Sequence, residues 1–213
     1  MPESDSTLLY LIRHGATEAN ERKPSILQGR GLNGCLSERG RRQAAAVAQL
    51  LSAFRIDAIY ASPMQRAVET AEAIAAAHEL AVATDADLTE CDVGVWEGMD
   101  WASIERQFPD DYRAFRNDSA YAPYLRGESY ADVHRRVTPT VERLLERHAG
   151  QTIAVVAHNV VNRTYLAGLL GLDLGRAKDV RQSNCGVNVI RRRDGQTELL
   201  TLNAHFHLPE ELQ

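Results

Sequence analysis

The chain has 213 residues, 44% of them hydrophobic, with a formal net charge of -5 and a pI near 5.8. That length and apolar content suit one packed core, and the acidic balance argues against a general binder of nucleic acid or of anionic membranes. Cys35, Cys91 and Cys185 are too widely spaced for a zinc ligand set or a disulfide framework, so a reducing, cytoplasmic compartment is expected.

Residues 1–6 are acidic and carry no basic segment, and the apolar run that follows is too short to span a bilayer. Neither a leader peptide nor a membrane helix is expected. The run Leu8-Leu9-Tyr10-Leu11-Ile12 has the pattern of a strand buried on both faces, and it stops at Arg13-His14-Gly15. Residues 15–36 are polar and studded with glycine, which predicts a long functional loop. Ser37 can cap a helix that runs to about Ala53 with Ala44, Val47, Ala48 and Leu51 on one face. A second strand is expected over 56–61.

Ser62-Pro63 reads as a helix start, with Ser at the N-cap and Pro at the first helical position. Arg66 then falls in the first turn, where a cation is disfavoured unless an anion neutralises it. A third strand is expected over 80–84, leading to Glu90. Residues 99–127, with Trp101, Phe108, Tyr112, Phe115, Tyr121 and Tyr124, read as an inserted run of short helices and loops over the site. From Ser129 a long amphipathic helix follows, which Pro139 should kink or break. Thr152 to Ala157 is strand-like and ends at His158-Asn159, repeating the arrangement at His14. Two last strands flank Asp194-Gly195, a type I′ hairpin signal. The alternation predicts a single α/β domain over 1–213, of three α/β/α layers around a mainly parallel sheet, with the insertion at about 99–127 as a lid.

Arg13, His14, Arg66 and His158 thus collect at strand C-termini, the rim where open α/β sheets bind ligands, with Glu90 in a nearby loop. Phosphoryl transfer needs positive donors around the phosphate oxygens and a nucleophile in line with the leaving oxygen. The arginines and His158 can supply the donors, neutral His14 the nucleophile, and Glu90 the proton for the leaving alkoxide. No metal and no cofactor is required, because the basic residues take that electrostatic role.

Leu11-Ile12-Arg13-His14-Gly15, with Thr17, Glu18 and Asn20, resembles the signature of the histidine phosphatase superfamily, also called phosphoglycerate mutase-like. The resemblance continues through Gln28-Gly29, Leu36-Ser37-Glu38-Arg39-Gly40, Ser62-Pro63 with Arg66-Ala67, Leu88 with Glu90, Gly94 with Trp96-Glu97-Gly98, Gly127-Glu128-Ser129 and Val156-Ala157-His158. It implies a phosphoglycerate mutase-like fold, His14 as the phosphorylated nucleophile, Arg13, Arg66 and His158 as the phosphate pocket, and Glu90 as proton donor. It also implies that Asn20, Gln28 and Gly29 lie at the substrate edge. Three positions depart from the family pattern. Asn159 stands where glycine is usual and adds a polar side chain beside the pocket, the loop over 29–35 is one residue longer, and Arg126 replaces a frequent glycine.

The leading expectation is a metal-independent phosphomonoesterase acting on a small phosphorylated metabolite. Its rival is a phosphoglycerate mutase, disfavoured because the region after Glu90 has Arg106, Arg113, Arg116 and Arg126 but no paired arginines and no lysine. A non-catalytic phospholigand-binding protein is the reading from another class, and the presence of both His14 and Glu90 weighs against it. His205-x-His207 offers a metal pair without a third partner at metal spacing, and reads as a surface pair. Arg191-Arg192-Arg193 reads as a solvated strand edge. The expected partner is a small phosphorylated substrate, with no nucleic acid and no membrane; a homodimer is the candidate assembly.

Overall fold

A computed structural model describes residues 6–213; residues 1–5, most of the acidic N-terminal segment on which the leader-peptide expectation rests, lie outside the described residues. The alternation of apolar runs yields six strands in one sheet, ordered β3-β2-β4-β1-β5-β6. They are β1 (Ser6–Arg13), β2 (Ala58–Ala61), β3 (Val82–Thr84), β4 (Thr152–Ala157), β5 (Val187–Arg193) and β6 (Gln196–Ala204). The first four are mutually parallel, whereas β5 and β6 run antiparallel to their neighbours.

The apolar run of β1 is unbroken because both of its faces are covered. Leu9 and Leu11 join a core with Ile153 and Val155 of β4 and with Val137, Val141 and Leu166. Tyr10 and Ile12 point the other way, into a core with Ala154, Val156, Val47, Leu51 and Ile74. The helices segregate accordingly. Here α2 (Glu38–Leu51) and α3 (Gln65–Ala76) cover one face, while α6 (Tyr130–Arg147) and α7 (Asn159–Leu169) cover the other. This is the mixed α/β, three-layer arrangement expected from the sequence, with the helices that bury the sheet held by side chains worth roughly 1.5–3 kcal/mol each.

The last hairpin forms as its turn chemistry predicts: Asp194 and Gly195 have φ of 51° and 75°. The segment after Glu90 forms the short helices α4 (Trp101–Gln107) and α5 (Pro109–Asn117). They are anchored through an aromatic cluster in which Phe115 meets Tyr124 with ring centroids 4.4 Å apart and Trp96 edge-on at 5.6 Å.

Four expectations need correction. The loop over 15–36 contains a four-residue helix, α1 (Glu18–Glu21), capped by Thr17, which also closes a capping box with Asn20. Helix α3 starts at Gln65, not at Pro63: the Ser62 amide extends the sheet onto Val156 O at 3.0 Å, and its hydroxyl accepts from the Met64 amide at 3.3 Å, one turn short of the helix. The free amide of Gln65 is instead capped by the Asn33 side chain at 2.8 Å. Helix α6 runs through Pro139 without a break. Pro139 is exposed, so water can hydrate the carbonyl its ring leaves without a donor. The arginine run is not a solvated edge: β5 lies inside the sheet, and Arg192 is ion-paired with Glu142 and Glu146 of α6.

Candidate active site

Parallel pairing puts the C-terminal ends of β1 and β4 side by side, with Arg13 opposite Ala157. The His14 amide donates to Ala157 O at 3.0 Å, so His14 and His158 leave the sheet at the same rim. Their ring centroids are 5.1 Å apart. Strand β2 ends on the other side of β4, which delivers α3 and Arg66 to the same place.

The turn after β1 is packed against the start of α2 without room for a side chain. A Cβ on Gly15 would lie 2.6 Å from Gly40 O, and one on Gly40 would lie 1.9 Å from Ala16 O. Ser37 caps α2 through the Gly40 amide, and its hydroxyl reaches Ala16 O. The Gly15 and Ala16 amides donate to Thr70 Oγ1 and Gln43 Oε1. Every backbone group of the turn therefore has a partner that fixes its course.

His14 is buried, and its Nδ1 sits 2.7 Å from Gly15 O. A carbonyl can only accept, so Nδ1 carries the proton and Nε2 presents its lone pair. Arg66 Nε donates to that lone pair at 3.2 Å. Burial, reinforced by Arg66 and Arg13, holds the His14 pKa well below its ordinary value. His158 is depressed likewise, by burial first and then by Arg66 and His14. Both imidazoles are neutral at pH 7, and both ring nitrogens of His158 are buried without a protein partner.

Arg66 is fully buried, with Nη1 donating to Leu32 O at 2.8 Å and Nη2 to Gly29 O at 3.1 Å. The loop carrying those carbonyls is shaped by Glu97, which accepts from the Gly29 and Gly31 amides at 2.7 and 2.9 Å. Arg13 donates from Nη1 to Gln182 O at 2.7 Å, while its Nε is buried without a partner. Burial lowers Arg13 to about 10, against an opposing pull from Glu90, and it stays cationic at neutral pH.

Glu90 is held at the other end of the site. Its Oε1 accepts from the Cys91 amide at 2.9 Å and its Oε2 from the Val160 amide at 3.3 Å. A clamp behind it was not visible in the sequence: Arg136 meets Glu128 through Nε at 2.9 Å and Nη2 at 3.0 Å, and donates to Glu90 O at 3.3 Å. Neighbouring Cys91 is buried, and burial together with Glu90 pushes its thiol well above its ordinary value.

A cavity of about 370 Å³ opens onto these groups, a size suited to a small metabolite. Arg13, His14, Asn20, Gln28, Glu90 and Asn159 are on its wall. Arg66 and His158 are adjacent but not on the wall, and Gly29 serves Arg66 rather than the cavity. Asn20 and Gln28 form one unit, since Thr17 Oγ1 and Asn20 Nδ2 lie 2.8 and 3.4 Å from Gln28 Oε1. Trp101 and Tyr124 from the aromatic segment, with Tyr130, Arg163 and Asn184, also line the wall. Asn184 had no signal in the sequence; its amide holds His14 O at 2.9 Å. His205 lies in a separate shallow groove, stacked on exposed Phe206.

The chain matches the family model described as histidine phosphatase superfamily (branch 1) over residues 9–205. It is 36% identical over 202 residues to phosphoserine phosphatase 1 of Hydrogenobacter thermophilus, covering 95% of this chain and 94% of that one. Among solved structures it is similar to a phosphoserine phosphatase of Entamoeba histolytica bound to phosphoserine, with a TM-score of 0.85 and 28% identity. That match covers 95% of this chain and all of the other. A mycobacterial glucosyl-3-phosphoglycerate phosphatase is similar at a TM-score of 0.83 and 29% identity, over 94% of this chain and all of its own. With the fold, the rim geometry and nearly the whole length in agreement, this chain belongs to the histidine phosphatase superfamily.

Proposed function

We propose that the protein hydrolyses a small phosphomonoester through a phosphohistidine on His14, without a metal. One observation carries this reading: the proton of His14 is fixed on Nδ1 by Gly15 O, so a neutral nucleophile faces the cavity with buried Arg66 and part-buried Arg13 beside it. Phosphatases named for phosphoserine and glucosyl-3-phosphoglycerate among the similar proteins support hydrolysis of a small metabolite.

The lone pair of His14 Nε2 attacks phosphorus as the ester P–O bond breaks, and the leaving alkoxide takes the Glu90 carboxyl proton. Arg66 Nε, which holds that lone pair in the free enzyme, transfers its hydrogen bond to a phosphate oxygen. Arg13 Nε and a His158 ring nitrogen supply further contacts to the phosphoryl oxygens. In the second step water gives a proton to the Glu90 carboxylate and attacks phosphorus. The P–N bond breaks, inorganic phosphate leaves, and both residues return to their starting states. The segment 99–127 acts as the lid of a single domain spanning the chain, through Trp101 and Tyr124 on the cavity wall. Three free cysteines, two of them buried, support a reducing, cytoplasmic setting.

Phosphate release from a panel of phosphorylated metabolites, measured with a metal chelator for wild type and His14→Ala, tests the reading. Release that survives the chelator and needs His14 is expected. Isomerisation of 3-phosphoglycerate without net release would contradict hydrolysis and indicate transfer between hydroxyls.

A further inference from the structure

The Glu90 carboxyl is held by two backbone amides, those of Cys91 and Val160. The first belongs to the peptide unit that follows Glu90. A peptide unit is rigid and planar, with its C=O and N–H pointing in opposite directions. Whatever fixes the carbonyl of Glu90 therefore also aims the amide that holds its carboxyl. Arg136, on α6, fixes that carbonyl: its Nη2 donates to Glu90 O at 3.3 Å.

The same guanidinium pins the chain on both sides of Glu90. Its Nη1 donates to Asp87 O at 2.6 Å, and its Nε and Nη2 donate to the Glu128 carboxylate at 2.9 and 3.0 Å. Glu128 in turn holds the chain after Glu90. Its Oε2 accepts from the Asp92 amide at 2.8 Å, and its own amide donates to Asp92 O at 2.8 Å. The backbones run so close there that a Cβ on Gly127 would lie 2.2 Å from Asp92 O. Glu90 is thus suspended between Asp87 and Asp92, two points that one ion pair controls.

The Arg136 and Glu128 side chains are only 20% and 19% exposed, and neither residue is on the cavity wall. Burial opposes the charge on Arg136, but its hydrogen bonds to Glu128 outweigh that and strengthen its hold on the proton. A cation at the carbonyl end of a peptide also polarises it and strengthens the hydrogen bond made at its N–H end. All three guanidinium nitrogens are spent on the segment that carries Glu90 and on its anchor, a use that needs a planar fork and not a point charge.

We infer that Arg136 is a positioning residue for proton donation: through the Glu90–Cys91 peptide and through Glu128 it holds the Glu90 carboxyl where the leaving oxygen forms. This rests on the phosphomonoesterase reading above and adds to it the residues that keep its proton donor in place. Misplacing a reacting group by about 1 Å can cost on the order of 10²-fold in rate. The phosphoryl contacts come from β1, α3 and the end of β4, so loss of Arg136 leaves them in place.

The test compares para-nitrophenyl phosphate with phenyl phosphate, which share the phosphoryl group and the ring but differ in how much their leaving oxygens need a proton. The ratio of their kcat/KM values, para-nitrophenyl over phenyl, is expected to rise at least about fivefold in Arg136→Met, through loss on phenyl phosphate. Arg136→Lys keeps a cation beside Glu128 but cannot also reach Asp87 O and Glu90 O. It is expected to raise the ratio too, and it carries the test if the Met variant folds poorly. Glu90→Gln should raise the ratio by itself, and adding Arg136→Met to it should change the ratio by less than about twofold, because no proton is left to place.

Equal losses on both esters in Arg136→Met and Arg136→Lys overturn the inference, since they mark a merely structural role, and so does no loss on either ester. A further rise in the Glu90→Gln background, as large as in the wild type, also overturns it, since Arg136 would then act by another route. Glu90→Gln with the ratio of the wild type would remove Glu90 as proton donor, and a wild type that cleaves neither ester would remove the phosphomonoesterase reading itself. Either result takes the inference with it, and each is distinct from a failure at Arg136 alone.

Discussion

Arg66 Nε donates to His14 Nε2 across 3.2 Å, so the cation and the proposed nucleophile hold each other in the free protein. The contact exists because two carbonyls, Leu32 O and Gly29 O, fix the rest of the guanidinium, and Glu97 fixes the loop that carries them. In the proposed reaction Arg66 would therefore act already oriented and already desolvated, the condition under which charge stabilisation is most effective.

Arg66→Ala should lower kcat by about 10²–10³, the cost of losing one preorganised donor, on the order of 3–4 kcal/mol. Arg66→Lys should rescue little, because a point charge cannot serve Leu32 O, Gly29 O and the phosphate together. Steady-state kinetics on both variants check this, and near wild-type kcat/KM in either would remove Arg66 from the phosphate site.

Glu90→Gln separates proton donation from the rest of the mechanism. Alkyl phosphates release a basic alkoxide and should slow by about 10²–10⁴ in this variant, whereas para-nitrophenyl phosphate, whose leaving group needs no proton, should slow far less in its first step. Burst kinetics with para-nitrophenyl phosphate read that step directly. Equal losses on both substrate types in the first step would show that Glu90 does not protonate the leaving group.

The two depressed imidazoles make stability depend on pH. In the unfolded chain His14 and His158 take up protons near 6.5, and in the folded chain only well below that value. Between those limits the unfolded state binds more protons, so stability is full above about 6.5 and is lost as pH falls toward the folded-state values. Each residue adds a slope of up to about 1.4 kcal/mol per pH unit. Thermal melts should show Tm level above pH 7 and declining from 7 to 5, with a shallower decline in His158→Asn. A Tm that holds or rises down to pH 5 would contradict the burial of two neutral histidines.

Gly40→Ala tests the packing under the nucleophile. The added Cβ would sit 1.9 Å from Ala16 O, a backbone atom that Ser37 also fixes, so neither side can yield cheaply. Overpacking there should cost about 3 kcal/mol, or roughly 6–12 °C in Tm for a chain of this size. Activity should fall as well, through displacement of the turn that orients His14. A melt within about 1 °C of wild type would refute the tight contact.

What the sequence revealed and what it hid divide along physical lines. The strands of the centre were legible because both faces are buried: unbroken apolar runs ending in Arg13-His14 and His158 announce themselves, and parallel pairing then brings the two histidines together. The Asp194-Gly195 hairpin was legible because its turn demands positive φ. Local signals failed where a distant partner decided the outcome. Ser62-Pro63 looked like a helix start, yet Asn33 caps the real one. Pro139 looked like a break, yet its exposed position lets the helix pass. Arg163, Arg136 and Asn184 carry no local signature at all; one meets the cavity from α7, one clamps the Glu90 loop through Glu128, and one ties the His14 carbonyl. Only the folded chain brings such pairs together.

The most direct test of the account is to trap the phosphorylated enzyme. Rapid quench with a phosphorus-labelled substrate should give an acid-labile, base-stable label that maps to His14, forms and decays at rates consistent with turnover, and is absent from His14→Ala. Turnover that persists in His14→Ala, or a wild type that hydrolyses substrate with no label on His14 at any time, would contradict a phosphohistidine route.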